Sequence, residues 1–133
     1  MRYLLDTNIC IYIIKRKPPD VFNRFLTCEV GDIGISTITI AELTHGTQKS
    51  QNPEKNQAAL DQFLLPLEII DFDMAAAQVY GSIRAQLEKK GIPIGPLDFL
   101  IAAQALSLGV NLVTNNEREF LRVPGLTVEN WIE

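Results

Sequence analysis

The alternation of apolar and polar residues along the chain predicts short strands separated by helices. Apolar runs at Tyr3–Leu5, Ile33–Ser36, 67–70 and 110–114 are typical of strands buried in a sheet, and 126–128 fits an edge strand. Parallel strands need long crossover connections, and those crossovers are right-handed. We therefore expect an α/β fold, a three-layer α/β/α sandwich around a central, mostly parallel sheet.

Proline, glycine and capping residues predict where the helices begin and end. A helix over Thr7–Lys15 has to end before Pro18, and a second one begins behind Asp20 and runs to about residue 29. Thr39 followed three residues later by Glu42 matches a capping box at the start of the third helix. Further helix boundaries are expected at Pro53, Asp73, Gly91, Asp98, Gly109, Asn116 and Phe120.

The length and the cysteine count indicate one domain in a reducing compartment. A chain of 133 residues that is 47% apolar can bury one core, so we expect a single domain over 1–133. Cys10 and Cys28 form no C-x-x-C pair, which argues against a disulfide framework or a cysteine-based zinc site. The apolar run at 9–14 is too short for a signal peptide or a membrane span, so a cytoplasmic protein with no membrane partner is expected.

The charge of the chain limits how it can bind nucleic acid. A net charge of -4 and a pI near 5.0 argue against a protein that coats nucleic acid by bulk electrostatics. An acidic enzyme acting on RNA would need divalent cations and a local basic rim. The candidates for such a rim, which could equally be an ordinary solvated surface, are Lys15, Arg16, Lys17, Lys89, Lys90, Arg118 and Arg122.

Polar side chains from distant parts of the sequence are predicted to share one crevice. Asp6 follows the first strand, Asn116 follows the strand that ends at 114, and Glu42 lies in the helix after the second strand. In an open parallel sheet the functional crevice lies beyond the carboxyl ends of the strands. Asp98, near the start of a later helix, adds another candidate.

A cluster of carboxylates at such a crevice predicts a hard divalent cation. Like charges near 4 Å repel by about 1 to 4 kcal/mol per pair, so a convergent acidic cluster needs a cation to be stable. Mg²⁺ or Mn²⁺ prefers oxygen ligands and can promote phosphodiester hydrolysis. The single histidine, His45, leaves little room for a histidine-based metal site and is expected to be a surface or packing residue.

Every candidate also has a purely structural interpretation. Asp6 could cap the helix beginning at Thr7, and Glu42 could belong to a capping box. Asp98 could favour a helix N-terminus through the macrodipole. Asn116 and Glu119 could be turn and helix-start residues.

Four short motifs, in order and at suitable separations over nearly the whole chain, resemble those of the PIN-domain ribonucleases and of the VapC-type toxins among them. They are the segments at 4–8 (LLDTN), 36–43 (STITIAEL), 95–102 (GPLDFLIA) and 113–120 (VTNNEREF). Any one motif is too short to be specific. Together they identify the chain as similar to this family.

The resemblance implies a metal-dependent endoribonuclease that is the toxin of a type II toxin-antitoxin pair. It implies Asp6, Glu42 and Asp98 as acidic ligands of Mg²⁺, for which Mn²⁺ can substitute, with Thr7 and Thr114 as supporting residues. The chain departs from the family at Asn116, where many members carry a fourth aspartate, so a tightly held second ion is in doubt. Asn116 and Glu119 are expected to complete the catalytic set, with Glu119 compensating from outside the direct ligands.

The same resemblance implies partners. Such toxins pair as homodimers and are silenced by a VapB-type antitoxin, whose C-terminal segment lies in the toxin's groove. Operator DNA is bound only through the antitoxin. The segment at 93–96 (PIGP) resembles that of enzymes that cut transfer RNA at the anticodon stem-loop.

Two other functions remain open from the residues. Phosphotransfer through an aspartyl-phosphate on Asp6 also uses an aspartate after a first strand, but Asn8 replaces the second aspartate of the phosphatase version and Thr114 is not followed by the expected lysine. A non-catalytic module that uses the same groove only to bind a protein is compatible with Asn116.

Overall fold

The computed structural model describes residues 1–132, whose strands form one parallel sheet. The strands are β1 (Tyr3–Leu5), β2 (Ile33–Ser36), β3 (Glu68–Ile70), β4 (Asn111–Val113) and β5 (Val128–Glu129). The helices are α1 (Thr7–Lys15), α2 (Pro19–Leu26), α3 (Thr37–Gln48), α4 (Pro53–Leu64), α5 (Met74–Lys89), α6 (Pro96–Leu108) and α7 (Glu117–Phe120). Glu133, the last residue of the predicted domain, lies outside the described part.

The strand order is β3-β2-β1-β4-β5, and every pairing is parallel. In β1, Tyr3 pairs with Ile33 of β2 on one side and with Asn111 of β4 on the other. The carboxyl ends of these three strands therefore lie at the same edge of the sheet, where the sequence predicted a crevice.

Helices cover both faces of the sheet, which confirms the three-layer α/β/α prediction. On one face, Tyr3 and Leu5 of β1 belong to a core with residues of α1, α2, α3 and α4. On the other face, Leu4 belongs to a core with residues of α5, α6 and α7. The alternation of side chains along β1 thus supplies both cores. No helix within residues 1–132 combines the length and the apolar character that a bilayer crossing requires.

The capping box predicted at Thr39 is wrong. Helix α3 begins at Thr37, because Ser36 at the end of β2 keeps an extended backbone and its hydroxyl accepts the Ile38 N–H at 3.0 Å. Thr39 is therefore already inside the helix and buried. Glu42 lies in the second helical turn, too far along to bond the cap, so it does not belong to a capping box.

Other boundaries agree with the sequence or differ by a few residues. Asp73 caps α5 by accepting the Ala76 N–H at 2.9 Å, and Gly109 ends α6 with a φ of 68°. Helix α2 ends at Leu26 rather than near residue 29. The edge strand lies at Val128–Glu129 rather than at 126–128, since β5 pairs through Val128 with Leu112.

Candidate active site

Asp6 lies directly after β1 and contacts both α1 and the end of β4. Its Oδ1 accepts the Ile9 N–H at 2.9 Å, which caps α1, and the hydroxyl of Thr114 donates to its Oδ2. The side chain is buried, with the residue 7% exposed. Asp6 is therefore a helix cap, as its structural interpretation proposed, and its second oxygen is held by a residue 108 positions away.

Glu42 reaches the same edge of the sheet from α3. The hydroxyl of Thr7, the first residue of α1, donates to Glu42 Oε1 at 2.8 Å. Both side chains are half-buried. The two residues expected to support the acids thus contact them, Thr7 on Glu42 and Thr114 on Asp6.

Asp98 lies in the first turn of α6, beside Glu119 of α7. Glu119 Oε1 accepts the Gly95 N–H at 2.6 Å, and Glu119 Oε2 accepts from Asn116 Nδ2. The Asn116 N–H in turn donates to Thr114 Oγ1 at 3.0 Å. A continuous set of hydrogen bonds therefore runs from Asp6 through Thr114 and Asn116 to Glu119.

Electrostatics connect the acids to one another. Burial raises the pKa of Asp98 to about 7, with further contributions from the charge and hydrogen bond of Glu119 and from the charges of Asp6 and Glu42. Burial also raises the pKa of Asp6; the bonds from Thr114 and the Ile9 N–H act against that rise, and the charge of Glu42 adds to it. Asp98 therefore senses the negative charge of Glu119, Asp6 and Glu42, and Asp6 senses that of Glu42.

The donor set fits a hard divalent cation by chemistry, although no ready cage of ligands is formed. The site offers carboxylate oxygens in a negatively charged environment, which are the donors that Mg²⁺ and Mn²⁺ prefer. Within residues 1–132, however, no three Asp, Glu, His or Cys side chains stand close enough together to hold one ion. Hydrogen bonds to Thr7, Thr114, Asn116 and Gly95 instead engage the acids individually.

A cavity of about 340 Å³ opens beside Glu42, between α1, α3 and α4. Thr7 and Glu42 line one end of it, Lys15 lines its rim, and Ile11 and Leu60 lie among its apolar residues. Of the predicted basic rim, Lys15 is the member that this cavity includes. Arg122 instead donates to the Pro93 carbonyl at 3.0 Å, and Arg16 lies over the ring of Phe22.

The remaining candidates occupy other surroundings. Lys17, Lys89, Lys90 and Arg118 are exposed, and His45 is exposed on α3, as expected for a surface residue. Sequence reasoning missed the role of Gly95, whose backbone N–H reaches Glu119. The only signal was a glycine between an isoleucine and a proline just before a helix, and such a glycine has many ordinary explanations.

Comparison with known proteins adds evidence of a different kind. The family model described as PIN domain matches residues 3–126. The curated "tRNA(fMet)-specific endonuclease VapC" of Shigella flexneri is 47% identical over 131 residues, which cover 98% of this chain and 98% of that protein.

Two solved structures are similar over nearly the entire chain. One is VapBC2 from Rickettsia felis bound to a DNA fragment from the promoter, with a TM-score of 0.93, 46% identity, and coverage of 99% of this chain and 100% of that chain. The other is DNA-bound VapBC from Salmonella typhimurium, with a TM-score of 0.93, 45% identity, and coverage of 99% of both chains.

Proposed function

This chain belongs to the PIN-domain family and, within it, to the VapC-type proteins, and we propose that it is a toxin that cleaves RNA with the help of a divalent cation. The observation that carries the proposal is that acids from three other parts of the chain lie close enough to Asp98 to act on it. Negative charge on Glu119, Asp6 and Glu42 contributes to the raised pKa of Asp98. Such an arrangement is typical of a site that receives a cation.

Asp6, Glu42 and Asp98 are the residues that would hold the ion. Mg²⁺, or Mn²⁺ in its place, would neutralise the phosphate charge and activate the attacking water. Magnesium is commonly bound by one or two carboxylates together with waters and substrate phosphates, so a cage of three protein ligands is not required.

The other site residues orient these acids. The Ile9 N–H and the Thr114 hydroxyl fix the two oxygens of Asp6, so that its carboxylate cannot rotate freely. Thr7 fixes one oxygen of Glu42 and leaves the other available. Lys15 lines the same cavity as Glu42 and is the proposed contact for an RNA phosphate next to the cleaved one.

Transfer RNA is the proposed substrate class. The Shigella flexneri relative is named as specific for the initiator species, tRNA(fMet), and matches this chain at 47% identity. Its name, together with the resemblance at 93–96, supports cleavage of the same RNA at the anticodon stem-loop.

We also extend the proposal to partners. The similar structures are VapBC complexes bound to DNA, which supports a VapB-type antitoxin that brings the pair to operator DNA. A homodimer and a cytoplasmic location are part of the same proposal.

The test is cleavage of purified tRNA(fMet), with an elongator tRNA for comparison, by the antitoxin-free protein in Mg²⁺ or Mn²⁺. We expect cleavage that is abolished by a chelator and by Asp6→Asn, a change that keeps a side chain able to cap α1. Asp61→Asn, a substitution of an exposed acid on α4, is the matched control and should cut normally.

Other outcomes would identify the alternatives. If the wild-type protein leaves every RNA intact with either ion, a non-catalytic binding module replaces the nuclease. Acid-labile phosphate on Asp6 after treatment with a phosphodonor would indicate phosphotransfer. The burial of Asp6 and the engagement of both its oxygens argue against that result.

A further inference from the structure

Both oxygens of the Glu119 carboxylate accept hydrogen bonds from donors of the chain itself. Oε1 accepts the Gly95 N–H at 2.6 Å, across 24 positions of sequence, and Oε2 accepts from Asn116 Nδ2. Hydrogen bonds to an ionised acceptor are about twice as strong as neutral ones. These two bonds fix the orientation of the Glu119 carboxylate relative to Gly95 and Asn116.

Gly95 lies against the carboxylate of Asp98. A Cβ added at Gly95 would stand 3.0 Å from Asp98 Oδ2 and 3.7 Å from Glu119 Oε1. The φ of Gly95 is -59°, which any residue can adopt, so a side chain here would be opposed by the nearby carboxylate and not by the backbone conformation. A methyl group at Gly95 would therefore force the Asp98 carboxylate to shift by a few tenths of an ångström.

The turn after α7 holds the same segment at a second point. Arg122 Nη1 donates to the Pro93 carbonyl at 3.0 Å. Residues 93 and 95 are thus both bonded to side chains from 119–122. This contact fixes the backbone immediately before α6, which carries Asp98 in its first turn.

From these contacts we propose that Glu119 is a positioning residue, which places the Asp98 carboxylate by holding the Gly95 N–H. The inference rests on the proposed nuclease function. It assigns Glu119 a different task from the other acids of the site.

Glutamine at position 119 separates the two roles. Glu119→Gln keeps an oxygen that accepts the Gly95 N–H, and the Asn116 amide can turn so that its oxygen receives the new NH₂ group. Glu119→Ala removes the acceptor altogether. A positioning role predicts that glutamine rescues much of what alanine loses, whereas a ligand role predicts that both variants fail together.

The experiment compares Glu119→Gln, Glu119→Ala and Gly95→Ala in the full-length protein. Gly81→Ala is the matched control, because a Cβ at Gly81 on α5 meets nothing within 4 Å. The readouts are kcat and KM on tRNA(fMet), affinity for Mn²⁺ alone measured from the signal of the free ion, and hydrogen exchange of the Gly95 amide.

We expect Glu119→Ala and Gly95→Ala to lose about 10- to 100-fold in kcat with little change in KM, and to bind Mn²⁺ more weakly. Glu119→Gln should retain about ten times the kcat of Glu119→Ala or more. The Gly95 amide should exchange faster in Glu119→Ala and stay protected in Glu119→Gln.

Equal losses in Glu119→Gln and Glu119→Ala, with the Gly95 amide still protected in the glutamine variant, would overturn the inference and make Glu119 a ligand. Unchanged activity and Mn²⁺ affinity in Gly95→Ala would also overturn it. If the wild-type protein cuts no RNA, the nuclease proposal fails, and the Mn²⁺ and exchange measurements still decide the role of Glu119.

Discussion

The hydroxyl of Thr7 donates to Glu42 Oε1 at 2.8 Å, which joins the first residue of α1 to the second turn of α3. Thr7 also follows Asp6 directly in the chain, so a single residue connects two acids that are 36 positions apart. Without that bond, a half-buried carboxylate beside other negative charges would have several rotamers available. The bond selects one of them.

Thr7→Val should therefore impair catalysis more than stability. Valine has the shape of threonine and lacks the donor, so about 0.5 to 1.5 kcal/mol of stability is lost. Loss of a residue that orients a metal-binding carboxylate commonly costs about 10- to 100-fold in activity. Cleavage rates and thermal melts measure the two effects, and Thr7→Ser, which keeps the hydroxyl, serves as the control. Equal rates for valine and wild type would show that the bond has no part in catalysis.

Asp98→Asn should abolish cleavage and stabilise the ion-free protein near neutral pH. The pKa of Asp98 is raised from 3.8 to about 7, so between these values the folded state binds more protons than the unfolded state. Stability then falls as the pH rises through this window. Asparagine removes this penalty, so in a chelating buffer the variant should melt a few degrees higher than wild type near pH 7.5.

The difference should shrink toward pH 4, where the Asp98 carboxyl is protonated in the folded state and partly protonated in the unfolded state. Melting curves across the pH range, with Asp61→Asn as the comparison, test the sign. A variant that melts lower than wild type at every pH would mean that Asp98 has a structural task.

Ion binding should weaken in acid because the ligand must lose its proton. With a pKa of about 7 for Asp98, affinity for Mn²⁺ should fall about tenfold for each pH unit below neutrality. Saturation with the ion should also stabilise the fold, by about 2.7 kcal/mol at a concentration 100 times the dissociation constant. Titrations with Mn²⁺ at several pH values, with the melting temperature as the signal, measure both the affinity and the stabilisation. A flat pH profile would exclude Asp98 as a ligand.

Asn116→Asp should make the protein depend more strongly on its ion. Asn116 Nδ2 donates to Glu119 Oε2, and an aspartate there would replace that donor with a second negative charge. The repulsion at such contact is about 1 to 4 kcal/mol, so the ion-free variant should melt below wild type, and Mg²⁺ should reverse part of the loss. Asn116→Ala removes the amide without adding charge, so it separates the loss of the hydrogen bond from the added repulsion. A variant as stable as wild type in chelator would indicate that the new acid is protonated or turned away.

The alternation of strands and helices was predictable because each element carries its own local signals. Asp73 and Gly109 begin and end helices by contacts within a few residues, and such contacts leave a trace in the order of residues. The prediction at Thr39 failed for the same local reason. Ser36, three residues earlier, also has a hydroxyl that can cap a helix. Because β2 ends at Ser36, the helix begins directly after it, and Ser36 rather than Thr39 is the cap.

The hydrogen bonds inside the site were harder to predict from the sequence than the strands and helices. That Asp6 and Asn116 approach one edge follows from parallel strands, since both come after strand ends. The bond from Gly95 to Glu119 involves a backbone N–H, which has no pattern of its own in the sequence. The spacing between carboxylates depends on which donor holds each of them, and residues such as Thr7 are too common to indicate it in advance.

The pairing of β1 with β4 has a consequence for the timing of synthesis. Asp6 emerges from the ribosome among the first residues, whereas Thr114, which holds its second oxygen, comes 108 positions later. A nascent chain interrupted before β4 contains Asp6, Glu42 and Asp98 but lacks Thr114, Asn116 and Glu119. The second oxygen of Asp6 therefore gains its hydrogen-bond donor only when translation of the message is almost finished.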